Sequence, residues 1–153
     1  MGIFNSIKKL RTENHLPKIS KDEINAMKIL FSHSKEDIKN ELKKLIDYEE
    51  SVKSYVSSLR KIIRFKESSS KMEMTNSIFK IAKNLMKEYD KYNNQLKFLE
   101  IKKETLLKKS NKHNIHLDPH SPLMNFINQH KLNKMVLEVD VDGLKEEVKR
   151  LTA

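Results

Sequence analysis

Residues 38–63 read IKNELKKLIDYEESVKSYVSSLRKII, and the spacing of their apolar side chains decides the fold. Ile38, Leu42, Leu45, Val52, Val56, Leu59 and Ile63 recur in alternate steps of four and three, with Glu49 standing where the series would otherwise continue. A mean repeat of about 3.5 residues places them on one stripe of a helix, the seam of a coiled coil. Residues 78–106, IFKIAKNLMKEYDKYNNQLKFLEIKKETL, carry a second series through Ile78, Ala82, Leu85, Tyr89, Tyr92, Leu96, Leu99 and Leu106, with Lys103 in its gap. Between them Glu67-Ser68-Ser69-Ser70 suits a tight connection. Two such seams predict an all-α fold built on an antiparallel coiled-coil hairpin, with arms at about 35–67 and 71–109. Each arm would be roughly 45–55 Å long. Pairing about the turn sets Ile38 near Ile101 and Leu45 near Asn94, and brings Glu36 and Asp37 toward Lys102 and Lys103.

Working outward, each arm carries apolar residues off its seam: Ile46, Tyr55 and Ile62 on the first, Phe79, Ile81, Met86 and Ile101 on the second. A second stripe calls for a further packing layer. Short flanking helices would supply it and make a three- or four-helix bundle; a second copy of the chain is the alternative. Ser20 is placed to cap a helix at about 21–32, with Asp22 and Glu23 in its first turn, and Ser34 to cap the first arm. Residues 20–109 thus form the hairpin or bundle. Residues 110–122, SNKHNIHLDPHSP, read as a polar linker, and 123–153 as a C-terminal segment opening with a short helix from Leu123 to Leu132. From Met135 to Val141 apolar residues alternate with Glu138 and Asp140, which predicts a single strand before a helix starting at Leu144. The four-three spacing of Leu137, Val141, Leu144, Val148 and Leu151 also admits a helix throughout.

Composition narrows the function classes. Two glycines in 153 residues leave no phosphate-binding loop, dinucleotide fingerprint or nucleophile elbow, and with no cysteine there is no disulfide, thiolate metal site or cysteine nucleophile. The expectation is a non-enzyme that needs no cofactor. No apolar run approaches the length of a membrane span, so the chain reads as cytoplasmic, with peripheral attachment to a membrane as an option. The net charge of +10 favours an anionic partner, although 27 lysines against four arginines spread that charge over hydrated point charges.

Residues 1–11 carry the clearest functional pattern. On a helix Ile3, Phe4, Ile7 and Leu10 share one face and Lys8, Lys9 and Arg11 lie mainly on the other, which suits the headgroup region of an anionic membrane. Gly2 with Ser6 also matches an N-myristoylation signal, making Gly2 a candidate acylation site. With Met1-Gly2-Ile3-Phe4 at its start and a basic helical hairpin after it, the chain resembles in outline the membrane-remodelling ESCRT-III and phage-shock-protein A group, with shorter arms. Arg60, Lys61, Arg64 and Lys66 form a candidate anion-binding cluster near the hairpin tip, able to hold nucleic-acid phosphates without reading sequence. His113, His116, Asp118 and His120 are the candidate metal ligands, though the same stretch reads as an exposed loop. The leading expectation is a non-catalytic helical scaffold or interaction protein held peripherally on a membrane by residues 1–11. Alternatives are a basic module for nucleic-acid phosphates or a nucleoprotein partner, and a structural subunit that self-associates through its helical faces.

Overall fold

The computed structural model of the chain describes residues 15–65 and 71–152. The amphipathic segment at 1–11, the acylation candidate Gly2, the cluster member Lys66 and the serine-rich connection lie outside these residues. The described chain is all-α, with no strand: α1 (Lys21–Phe31), α2 (Lys35–Arg64), α3 (Lys71–Lys109) and α4 (Pro122–Thr152), plus a 3-10 turn at Ser110–His113 after α3. It divides into two compact units. The first is described over 15–47 and 94–131, the second over 48–65, 71–93 and 132–152.

In the first unit, the start of each helix follows from local chemistry. Ser20 caps α1 in a reciprocal box: its hydroxyl accepts from the Glu23 N–H and the Glu23 carboxylate accepts from the Ser20 N–H, both at 3.2 Å. The helix closes at Ser32, whose left-handed backbone (φ 56°) lets its N–H reach the Lys28 carbonyl while the His33 N–H reaches that of Met27. Ser34 and Asp37 repeat the box for α2, with the Ser34 N–H donating to Asp37 Oδ2 at 2.8 Å. Hydrogen bonds from Ser34, backbone first and then side chain, hold the Asp37 carboxyl below its ordinary pKa. Ser121 caps α4, accepting from the Met124 N–H at 3.2 Å. These starts are tied together by Glu23, only 1% exposed: besides Ser20 it accepts from the Ser121 hydroxyl at 2.8 Å, so one buried carboxylate joins the caps of α1 and α4. In the same unit Met27, Leu42, Leu45, Leu96, Leu106 and Leu123 are buried. Each fully buried side chain of this size contributes roughly 1.5–3 kcal/mol.

The second unit has the same economy. Val52, Val56, Leu59, Leu85, Leu137 and Val141 are buried, and the seam's polar interruption, Glu49, is buried with them at 4% exposure. Its Oε2 accepts from the Tyr92 hydroxyl at 2.9 Å; its Oε1 lies 3.2 Å from Lys53 Nζ and 3.4 Å from Asn133 Nδ2. α2, α3 and α4 thus meet on one carboxylate. Burial, followed by the neighbouring Glu49 charge, holds the Tyr92 phenol well above its usual pKa, so it serves as a donor at every ordinary pH.

Two expectations are overturned. Residues 135–141 are helical, not a strand, and the C-terminal segment is one helix of 31 residues in place of a short helix followed by a second start at Leu144. The reason is packing: Leu137, Val141, Leu144 and Val148 fall on one stripe and are buried, whereas the alternating partners Met135 and Val139 are exposed. Tertiary burial outweighs β-branched propensity, and Gly143 sits in this helix with no positive φ. Nor do Glu36 and Asp37 meet Lys102 and Lys103. Asp37 is engaged in capping, exposed Glu36 lies 4.0 Å from Lys39, Lys102 contacts His33, and Lys103 donates to Asn128 Oδ1.

Tyr92→Phe removes a donor from a buried carboxylate and is expected to cost about 1–3 kcal/mol. Adding Glu49→Leu should return part of that loss, so urea unfolding of the two single variants and the double variant would give a coupling of roughly 0.5–3 kcal/mol. Strict additivity would refute the shared network.

Candidate anion-binding groove

The C-terminal half of α2 presents Lys53, Val56, Ser57, Arg60, Lys61 and Arg64, positions separated by three, four, seven, eight and eleven residues from the first and therefore on one face. Asn133, Val136, Leu137 and Asp140 of α4 stand opposite, and between the two helices of this second unit lies a groove of about 540 Å³. Val56 and Leu137 are buried in its floor; the cations stand on its α2 rim. Arg60 Nη2 reaches Asp140 Oδ1 at 2.8 Å, a well-placed bond across the groove, and Lys53 is held by Glu49. Lys61 and Arg64 have no ion-pair partner among the described residues. Both lie in the last turn of α2, where the negative end of the helix dipole favours cations. Four cationic side chains and one carboxylate are among its lining residues, so the lining carries a net positive charge.

Comparison with protein-family models, with curated proteins and with solved structures found no match to this chain.

Three members of the sequence-derived cationic cluster, Arg60, Lys61 and Arg64, come together here; the fourth, Lys66, falls outside the described residues. The membrane-face candidates Ile3, Phe4, Ile7, Lys8, Lys9, Leu10 and Arg11 fall outside them as well. His113, His116, Asp118 and His120 are all exposed on the connection into α4. Asp118 Oδ1 accepts from the His120 N–H at 2.8 Å, forming a turn ahead of the Ser121 cap, and among the described residues no three His, Asp or Glu side chains gather as a metal-holding group. No described helix is long and apolar enough to cross a membrane.

One feature escapes sequence reasoning. Lys102, in the first unit, is 8% exposed: its Nζ lies 4.1 Å from the Phe31 ring centre, 4.5 Å from that of Phe98 and 2.6 Å from His33 Nε2. Two aromatic faces hold the cation in place of water. Burial lowers its pKa, opposed by the charge of Glu41. Phe98, one turn before Lys102 in α3, is the only local signal; Phe31 arrives through the fold.

Because the folded pKa lies below the ordinary lysine value, the ammonium costs stability at neutral pH and that cost is relieved as pH rises from the folded value toward 10.5. In Lys102→Met the dependence disappears. Urea unfolding from neutral pH to about pH 10.5 should therefore show the wild type gaining on the variant; a constant difference would contradict this account.

Proposed function

We propose that this chain is a non-catalytic helical interaction module, built on an antiparallel coiled-coil hairpin, that docks anionic partners in the groove between α2 and α4. The observation that carries this reading is the convergence of Arg60, Lys61 and Arg64 on one concave surface with Asp140 as its lining carboxylate. The hairpin is supported by contacts within each unit: Gln95 Nε2 donates to the Glu41 carbonyl at 2.9 Å in the first, and Tyr92 donates to Glu49 in the second. Both lie within about one helical turn of the expected pairing. On this reading the protein turns over no substrate and needs no cofactor. A phosphate chain or an acidic protein surface would satisfy the groove by charge, with an affinity that falls as salt rises.

A second reading is supported by the facial separation of Ile3, Phe4, Ile7 and Leu10 from Lys8, Lys9 and Arg11: peripheral attachment at a cytoplasmic anionic membrane through residues 1–11, with Gly2 as an acylation site in a host that myristoylates. The two readings assign binding to different residues.

Binding of poly-glutamate and of phosphatidylserine vesicles to the full chain, to Lys61→Glu/Arg64→Glu and to a variant lacking residues 1–11 separates them. The double charge reversal should weaken poly-glutamate binding at least about tenfold at low salt. Unchanged binding would remove the groove reading. Loss of vesicle binding only in the truncated variant would support the membrane reading.

A further inference from the structure

We infer that the occupant of this groove is an acidic amphipathic helix of a partner protein, an inference that rests on the anion-binding reading and narrows it. Charge alone does not describe the surface. Along α4, in the same unit, Leu132, Met135, Val136 and Val139 are 57%, 59%, 65% and 72% exposed. They stand at steps of three, four and seven from Leu132, so they form a continuous aliphatic stripe on one helical face, turned away from the buried stripe of Leu137, Val141, Leu144 and Val148. Val136 belongs to both features: it lies on the stripe and lines the groove. The surface is therefore an aliphatic strip with a cationic rim along one edge.

The two edges of that strip differ. Toward α2 stand Arg60, Lys61 and Arg64, with Asp140 engaged by Arg60. On the other edge Glu138 and Asp142 are exposed, and their charges reach Tyr89 of α3. A phosphate chain would meet the cations and leave four aliphatic side chains in water. An anionic membrane would lay its headgroups against Glu138 and Asp142 as well as against the arginines. A helix satisfies every element at once, with apolar residues at i, i+3, i+4 and i+7 on the stripe, carboxylates along the α2 edge, and neutral or basic residues along the other. From Lys53 to Arg64 the rim extends about 16 Å, three turns of such a helix. Lys61 and Arg64, at the end of α2, are the charges it would engage first.

The test uses the full chain and two labelled 18-residue peptides of identical composition. One is patterned with leucines on one face, glutamates on one edge and lysines on the other; the second is a scramble. Fluorescence anisotropy should show the patterned peptide binding at least about tenfold more tightly than the scramble. Val136→Asp should weaken it by a comparable factor, as should Lys61→Glu/Arg64→Glu, while circular dichroism stays unchanged because all three positions are exposed. Equal binding of the two peptides, with sensitivity to Lys61→Glu/Arg64→Glu alone, would overturn the helix and leave the anion-binding reading standing. Tighter, Val136-insensitive binding of single-stranded RNA, or of phosphatidylserine vesicles, would assign the groove to that partner and likewise overturn it. Failure of the peptides, RNA, vesicles and poly-glutamate alike would remove both.

Discussion

Covering the apolar stripe of α2 is the constraint from which the rest of the structure follows. Ile38, Leu42, Leu45, Val52, Val56, Leu59 and Ile63 lie on one face of a helix whose other positions are mostly polar, and every one of them is buried. In each unit that burial is achieved by the same elements, a part of α3 and a part of α4, with α1 added in the first. Hydrophobic burial is non-directional, so it explains why these helices associate but not why they take one arrangement.

Direction comes from two buried carboxylates. Glu23 accepts from the caps of α1 and α4, and Glu49 accepts from Tyr92, Lys53 and Asn133, on three different helices. A buried carboxylate without donors costs several kcal/mol on the order of magnitude of an unpaired ion, so packings that leave either one unmatched are disfavoured. Polar residues set into an apolar seam act in this way in coiled coils, fixing register at some cost in stability. Lys102 is the cationic counterpart, held by Phe31 and Phe98.

The groove is a by-product of the same packing. Once α2 and α4 in the second unit bury Val56 and Leu137 between them, the residues one turn to the side are brought face to face. On α2 these are cations; on α4 they are Asn133, Val136 and Asp140. The Arg60–Asp140 bond spans the gap. Because both walls are helices of several turns, the surface is preorganised, and a partner docking there as proposed would lose less entropy.

The sequence by itself determined the helical class, the apolar stripes of α2 and α3, the caps at Ser20 and Ser34 and the placing of Arg60, Lys61 and Arg64 on one face of α2, because helical periodicity and capping are local rules written within a few residues. It leaned to a strand at 135–141, since Met135, Leu137, Val139 and Val141 fit a period of two while Leu137, Val141, Leu144 and Val148 fit a helical spacing, and only burial of the Leu137 stripe decided for the helix. The roles of Glu23 and Glu49, the aromatic cage of Lys102 and the groove's second wall were likewise decided by tertiary structure alone. Each depends on residues far apart in the chain, such as Glu23 and Ser121 or Arg60 and Asp140, whose meeting no local pattern encodes.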